Sequence, residues 1–280
     1  LKFIVFWSKN PNELLNIKDF LDSKGIRYYI QYSLNDYEDE GYEPNVPSIT
    51  ERIRTFQNIS VQNGFGTVIW RFDPLMLTDK VDINKLIYKI TKIGDSLKGF
   101  TEKLVFSFAD ISNYKNVKKN LEENDIHYIE WTSELEIEFA EKLYKLNNER
   151  GWNYELCTCS EKADLSKYGI NHNKCIDDEL ITRIDYKESS LMEHLGMEIH
   201  SVSENLLSEE IPENAIMLNE YIYAVRTKAN KSSSQRALCG CIDSVDIGMY
   251  NTCTHRCVYC YATYDFNKAE KYYRNYKKRK

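Results

Sequence analysis

Strand-like and helix-like segments alternate from Phe3 to Cys157, and this alternation restricts the fold more than any other feature of the 280-residue chain. The rhythm is typical of a parallel sheet whose strands are connected by crossover helices. The predicted strands are residues 3–7, 27–34, 67–72, 103–109, 126–130, 152–157 and, after an irregular stretch, 244–250.

These seven strands and one more would complete a barrel. The chain enters a strand at once, so we expect that its N-terminus is truncated and that an eighth strand precedes Leu1. We therefore predict an α/β fold built as a (β/α)8 TIM-like barrel, or as an open, partial version of it.

Two capping boxes predict where crossover helices begin. Ser48 is followed by Glu51, and Ser133 is followed by Glu136. In a capping box the serine side chain accepts a hydrogen bond from the backbone three residues on, and the acidic side chain bonds back to the serine. Helices are therefore expected to start at these two serines.

The regularity of the pattern divides the chain into three parts. Residues 1–184 are predicted to form the main part of the α/β barrel. Residues 185–235 are polar and weakly periodic, which indicates an insertion or loop region with a flexible loop at 228–235. Residues 236–280 are expected to be a cysteine-rich segment that completes the barrel and holds a metal cluster.

Composition and charge argue against several classes of protein. The net charge of −6 does not suit a nucleic-acid binder. No apolar run approaches the ~20 residues of a membrane span and no signal peptide is visible, so we expect a cytoplasmic protein without a membrane partner. Residues 268–280 are basic, and their tyrosines could stack on bases. A solvated terminal helix explains them more simply, which makes nucleic acid a disfavoured partner.

All eight cysteines lie between Cys157 and Cys260, and without a secretion signal this clustering favours metal binding over disulfides. Cys253, Cys257 and Cys260 place three thiolates within eight residues. Structural zinc sites normally take four ligands in separated pairs. This spacing instead favours a 4Fe–4S cluster with one iron left free of protein. Zinc, with His255 as a fourth ligand, and inert thiols are the alternatives.

A second group of cysteines precedes that loop. Cys159, Cys175 and the closely spaced Cys239 and Cys241, with Cys157 nearby in the chain, could supply a tetrahedral zinc site or a second cluster. Buried free thiols are the alternative, since lone cysteines behave as small hydrophobes.

Polar side chains are dense where the predicted strands end, and in barrels of this kind the active site lies at the carboxyl ends of the strands. We expect catalytic roles for three of them and cofactor contacts for three others. The candidates are Lys9, Arg71 and Asp73 in the first set, and Asn10, Gln31 and Ser107 in the second. Simpler roles are also open, because Asn10 could be a helix cap and Arg71 could pair with Asp73.

The cysteine motif carries a family resemblance. With Tyr259 before its last cysteine, it resembles the cluster-binding loop of radical S-adenosylmethionine enzymes. The chain as a whole resembles the uncharacterised bacterial proteins called domain of unknown function 1848. That likeness is carried by residues 6–11, 43–47, 70–74, 174–177 and 235–262.

The resemblance implies an iron–sulfur protein in which Cys159, Cys175, Cys239 and Cys241 are recurrent family cysteines and Cys157 is not. It further implies a radical S-adenosylmethionine-like enzyme that takes an electron from a donor such as a flavodoxin or ferredoxin and acts on a small-molecule or unknown substrate. A non-catalytic electron carrier, a zinc-stabilised binding module and a radical enzyme acting on nucleic acid are the alternatives.

The chain departs from the radical enzymes in two respects. Their cluster loop normally follows the first barrel strand, whereas here it comes last, as in a circularly permuted barrel. They also commonly have a glycine pair at the methionine moiety, and this chain has no Gly-Gly sequence.

Overall fold

A parallel sheet forms the centre of the structure, a computed structural model that describes residues 1–159, 161–202, 211–233, 235–236 and 238–278. The strands are β1 Phe3–Ser8, β2 Arg27–Ser33, β3 Val68–Leu75, β4 Leu77–Thr78, β5 Lys103–Phe108, β6 Tyr128–Ile129, β7 Glu155–Thr158, β8 Ile170–His172, β9 Met197–Ser201, β10 Ile216–Asn219 and β11 Ile222–Arg226. The helices are α1 Lys18–Ser23, α2 Ile49–Asn63, α3 Ile83–Leu97, α4 Lys115–Glu123, α5 Ser133–Glu149, α6 Asp178–Asp185, α7 Ser189–Leu195 and α8 Phe266–Lys277. Short 3-10 helices cover Pro11–Asn16 and Ser166–Tyr168.

The central sheet has six strands in the order β1-β2-β3-β5-β7-β8, and each neighbouring pair is parallel. The α/β class is therefore confirmed. This sequential order is that of a barrel wall and not of a doubly wound sheet, in which the order reverses. In the described part of the chain no pairing joins β1 to β8. The structure is thus consistent with a partial barrel but does not contain the closed eight-stranded one.

The two faces of the sheet pack against different helices. One face, with Ile30, Trp70 and Phe106, shares a core with apolar side chains of α1 to α5. The opposite face carries Tyr29, Ile69, Val105 and Cys157 and packs against α6 and α7. Alternate residues of a strand point to opposite faces. Gln31, Arg71 and Ser107 are therefore on the face of α6 and α7, but nearer the carboxyl edge.

Two strand predictions were wrong. Residues 126–130 contain only the two-residue β6, which pairs antiparallel with β4 outside the central sheet. Residues 244–250 form no strand, and Val245 and Ile247 are exposed. An alternating pattern makes a strand only where a neighbour supplies hydrogen bonds, and the place beside β7 is taken by β8, which was not predicted. The loop after residue 250 consequently does not follow a strand.

Of the two predicted capping boxes, one is present in the structure. Ser48 and Glu51 form the predicted capping box at the start of α2. Helix α5 is instead capped by Thr132, whose side chain accepts a hydrogen bond from the Leu135 backbone. Threonine is also a good N-cap, so α5 begins at Ser133 but its cap is the residue before the predicted serine.

The interval from 185 to 235 contains regular structure of its own. Helix α7 is followed by an antiparallel sheet in the order β10-β11-β9. Met197 of β9 joins the core beneath the central sheet. The loop predicted at 228–235 includes Ser234, which lies outside the described residues. None of the described helices is long and apolar enough to cross a bilayer.

Candidate metal centres at the carboxyl edge of the sheet

Arg71 is the centre of a polar cluster at the carboxyl edge of β2, β3 and β5. Its guanidinium is 2.5 Å from Asp73 Oδ2 and donates to Gln31 Oε1 over 3.3 Å. The Ser107 hydroxyl donates to the other oxygen of Asp73. Arg71 is only 3% exposed, whereas Asp73 is partly exposed at the edge of the sheet. Four of the six residues that were predicted from their positions at strand ends therefore lie together in this cluster.

The other two lie apart from this cluster. Asn10 accepts a hydrogen bond from the Asn12 backbone over 3.4 Å and caps the 3-10 helix that begins at Pro11. In the structure Asn10 is therefore a helix cap. Lys9 reaches to Glu43, with Nζ 2.9 Å from Oε1, and so belongs with the cysteine loop described below.

Cys159, Cys175, Cys239 and Cys241, the four-cysteine group, meet beside Arg71. The sulfurs of Cys159 and Cys175 are 3.7 Å apart. The Cys241 thiol contacts both Cys175 and Cys239. Cys157 stays outside the group, because its thiol donates to Glu155 over 3.4 Å and its side chain packs against α6 and α7.

Hydrogen-bond donors converge on two sulfurs of the four-cysteine group. Cys175 Sγ accepts from Arg71 Nη1 over 3.2 Å and from Asn173 Nδ2 over 3.3 Å. Cys241 Sγ accepts from the backbone N–H groups of Cys175 and Ile176 over 3.1 and 3.4 Å. Contacts with Cys159 and Cys241, and then the charge of Arg71, lower the pKa of Cys175. These contacts favour the thiolate form of Cys175.

The second site is the three-cysteine loop, residues 253–260, which is fixed to the segment that follows β2. Val258 N donates to the Tyr42 carbonyl over 3.0 Å, and Asn45 N donates to the His255 carbonyl over 3.2 Å. The Asn45 side chain also donates to the Thr254 carbonyl. Backbone contacts of this kind hold the loop at the carboxyl edge although no strand leads into it.

Tyr259 anchors the loop in a buried charge network. Its hydroxyl donates to Glu43, which also pairs with Lys9 and, over 3.2 Å, with Arg52. Burial works to raise the pKa of Glu43, but the charges of Lys9 and Arg52 and the Tyr259 hydrogen bond outweigh it, and the pKa is lowered. Glu43 is therefore ionised at neutral pH.

Asn35 connects the two sites. Its Nδ2 donates to the Tyr259 hydroxyl and to the Asp73 carbonyl, each over 3.0 Å, and its Oδ1 accepts from Asp73 N over 2.9 Å. Since Asp73 pairs with Arg71, which donates to Cys175, an unbroken series of contacts runs from the three-cysteine loop to the four-cysteine group.

The thiols of the loop differ in their surroundings. Cys253 is exposed, Cys257 is buried and Cys260 is half-buried. Burial raises the pKa of Cys257 to about 12, although the charge of Lys9 opposes this effect. Cys260 Sγ accepts from Thr263 N over 3.3 Å, and the His255 backbone N–H bonds to Cys253. Such N–H donors favour the thiolate form that metals need.

The donor sets suit soft metals, but the side chains do not yet enclose one. Among the described residues, no three or more His, Cys, Asp or Glu side chains are arranged as a metal-binding group. Metal binding at either site therefore needs the thiols to turn inward and lose their protons. Rotation between staggered rotamers moves a sulfur without moving the backbone.

The predicted basic tail lies on α8, which carries exposed Tyr272, Tyr273 and Tyr276. Lys268 lies over the Tyr272 ring and Lys277 over the Tyr273 ring. These contacts within one helix suit a solvated terminal helix. Arg279 and Lys280 lie outside the described residues.

Sequence reasoning missed Asn35, Glu43 and Arg52 as site residues. Asn35 directly follows the predicted strand 27–34, so the strand-end rule that selected Gln31 could have found it. Glu43 begins the stretch 43–47 that carries part of the family resemblance, but neither Glu43 nor Arg52 follows a predicted strand. Only the folded chain brings them together at the three-cysteine loop.

Comparison with known families adds one decisive match. The family described as Domain of unknown function (DUF1848) matches residues 1–262. The chain belongs to the DUF1848 family. All the cysteines of the two sites lie within the matched range. No curated protein and no solved structure matches the chain. The function of this DUF1848 protein must therefore be argued from the two sites.

Proposed function

We propose that this DUF1848 protein binds a 4Fe–4S cluster through Cys253, Cys257 and Cys260 and is a radical S-adenosylmethionine-like enzyme. The observation that carries the proposal is the attachment of the three-cysteine loop to the carboxyl edge of a parallel sheet, above buried polar strand ends. Its substrate is a small molecule of unknown structure that approaches the same edge.

The donor set supports a cluster at this loop. Three cysteines leave one iron of a 4Fe–4S cluster without a protein ligand. That iron is free to take the amino and carboxylate groups of S-adenosylmethionine. The chemistry so supplied is reductive cleavage of the sulfonium, which needs one electron from a partner such as a flavodoxin or ferredoxin.

The side chains around the loop have separate tasks. Lys9 stays beside Glu43, and its charge favours deprotonation of the buried Cys257. Tyr259 fixes the stretch between Cys257 and Cys260 through its bonds to Glu43 and Asn35. Arg71 and Asp73 provide a charged pair at the next strand end, where a polar substrate group could bind.

The structure differs from the radical enzymes in how the loop reaches the sheet. It is held by the segment after β2 and by Asn35, and not by a preceding strand. In this proposal the cluster would lie at the carboxyl edge without the usual order of elements.

Spectroscopy on anaerobically purified full-length protein tests the proposal. We expect brown protein with about four irons per chain at this loop, and a change in the paramagnetic resonance spectrum of the reduced cluster on addition of S-adenosylmethionine. Slow formation of 5′-deoxyadenosine should follow.

Cys257→Ala should remove this cluster, whereas Cys157→Ala is the matched control because it removes a buried thiol outside both sites. Colourless protein would contradict the proposal that the loop binds a 4Fe–4S cluster. If the cluster is fully occupied and reducible but its paramagnetic resonance spectrum does not change with S-adenosylmethionine, the protein is better explained as an electron carrier.

A further inference from the structure

The four-cysteine group has features that the proposed cluster at the three-cysteine loop does not use. We propose that Cys159, Cys175, Cys239 and Cys241 bind a single zinc ion in a structural site. The inference does not rest on the proposed function, because it concerns different cysteines and a different metal.

The spacing of the sulfurs favours a single ion. Sulfurs that lie 2.3 Å from a tetrahedral zinc are about 3.8 Å from one another. Cys159 and Cys175 already meet this requirement with a separation of 3.7 Å. In a 4Fe–4S cluster each cysteine binds a different iron, so the cysteine sulfurs lie farther apart. A disulfide would need the two sulfurs at about 2.0 Å.

The surroundings also suit bound thiolates. Four thiolates around Zn²⁺ leave two negative charges, which need hydrogen-bond donors or cations nearby. Arg71 and Asn173 donate to Cys175, and two backbone N–H groups donate to Cys241. Arg71 is buried and shares its positive charge between Asp73 and the Cys175 sulfur. These donors are present at the sulfurs before any metal binds.

The position of the group explains what zinc would do there. Cys159 follows β7, Cys175 follows the three-residue edge strand β8, and Cys239 and Cys241 belong to a stretch without helix or strand. Ser232 N donates to the Cys241 carbonyl, and Ile242 N donates to the Ile176 carbonyl. An ion shared by these three segments would fix the short edge strand and the chain that leads to the three-cysteine loop.

Binding of the ion requires the four thiols to turn toward one point. The four sulfurs do not yet surround a common point, but each can turn about χ1. Binding of Zn²⁺ releases the protons of the thiols to solvent, so zinc retention should weaken as the pH falls.

Metal analysis of full-length protein in which Cys253, Cys257 and Cys260 are all alanine tests the inference, because metal at the three-cysteine loop is then removed. We expect about one zinc per chain, and four sulfurs at about 2.3 Å by zinc X-ray absorption. Replacement by Co²⁺ should give the intense absorption of a tetrahedral tetrathiolate site.

Further variants in the same background locate the ion. Cys239→Ala should lose the zinc, and Cys239→His should regain it because imidazole is also a zinc ligand. Cys157→Ala should keep it. The recovery by histidine separates loss of a ligand from failure to fold.

Three results would overturn the inference. Iron in place of zinc, with the broad absorption of a cluster, would make the group a second iron–sulfur site. Four freely alkylated thiols and no metal would make it a set of buried cysteines. A Cys159–Cys175 disulfide in protein purified without oxygen would assign it a redox role. The iron content of protein with an unmutated three-cysteine loop is measured separately, so none of these results decides the proposed function.

Discussion

Asn35 donates a hydrogen bond from its side-chain amide to the Tyr259 hydroxyl over 3.0 Å, across 224 residues of chain. The same side-chain amide also donates to the Asp73 carbonyl and accepts from the Asp73 backbone N–H. Tyr259 lies between Cys257 and Cys260, two candidate metal ligands. The Asn35 amide therefore connects the part of the loop that carries them to the end of β3. The geometry of the three-cysteine loop is therefore partly a property of the sheet.

Tyr259→Phe tests this anchor. The ring should keep its contact with Tyr37 and its position under Lys9, but Glu43 and Asn35 lose a buried partner. We expect the free energy of unfolding to fall by about 1–3 kcal/mol and iron to be lost faster from the loop. Urea unfolding and iron release to a chelator measure the two effects.

The matched control for that change is Tyr261→Phe, two residues along and 65% exposed. It should alter neither quantity appreciably. Equal iron release from the two variants would show that the hydroxyl of Tyr259 does not hold the loop.

Glu43→Gln should produce a pH-dependent loss of stability. Arg52 is 1% exposed and would keep an unpaired charge, which costs about 3–5 kcal/mol. The folded state lowers the pKa of Glu43 below its ordinary value of 4.5. Its stabilising contribution is thus complete above that value and disappears as the pH falls through the folded pKa.

Unfolding curves at a series of pH values measure this effect. The gap between wild type and Glu43→Gln should be widest near neutral pH and should narrow below about 4.5. Glu123→Gln is the control, because Glu123 forms only an exposed pair with Lys119. A gap that is constant with pH would mean that the glutamate acts through its shape and not its charge.

Much of the fold follows from local pattern. Strands β1, β2, β3, β5 and β7 were recognisable because each is a run of apolar and β-branched residues between helix signals. Strand β8 has one buried residue, Ile170, among its three, so its identity comes from pairing with β7. Val245, Ile247 and Met249 alternate as strand residues do, yet all are exposed, and no strand among the described residues pairs with them.

The candidate site was predictable to the extent that it lies on strands. Gln31, Arg71, Asp73 and Ser107 could be grouped because carboxyl ends of parallel strands share an edge. The distance between Cys159 and Cys241 in the sequence conceals that both contact Cys175, and only the packing of segments without regular structure brings them together.

Gly94→Ala in α3 should destabilise the protein, which is the reverse of the usual effect. Alanine is favoured over glycine inside a helix by up to about 1 kcal/mol. Here a Cβ atom would lie 2.5 Å from the Trp152 ring. We expect a net loss of about 1–3 kcal/mol from overpacking, measured by thermal or urea unfolding.

A double-mutant cycle with Trp152→Phe identifies the cause. The smaller ring lacks the indole atoms that the new Cβ would meet, so Gly94→Ala should cost less in that background. Equal costs in both backgrounds would exclude the clash as the reason.

Deletion of residues 277–280 should leave small-molecule activity and iron content unchanged. Tyr272 and Tyr273 of α8 have lysines of the same helix over their rings, which leaves these two less available to stack on bases. We expect fluorescence anisotropy to detect little binding of single-stranded DNA at physiological salt. Tight binding by intact protein, with a salt slope that the deletion reduces, would restore the nucleic-acid option.

Asp73→Asn separates a role in turnover from a role in structure. The amide removes the charge beside Arg71 but retains an oxygen that can accept from the Ser107 hydroxyl. The Asn35 contacts use only the Asp73 backbone and should persist. Iron content should therefore stay near that of the wild type, while 5′-deoxyadenosine formation falls by about tenfold or more, as expected when a charged partner of the reacting pocket is lost.

The control for that comparison is Asp110→Asn, which changes an exposed carboxylate after β5 that bonds to Asn113. It should leave both quantities unchanged. Parallel losses of iron and turnover in Asp73→Asn would mean that the carboxylate serves the fold, since its partner Arg71 also donates to Cys175 and would disturb the four-cysteine group. Retained iron with reduced turnover would leave Asp73 acting at the carboxyl edge itself, where S-adenosylmethionine and substrate are proposed to meet.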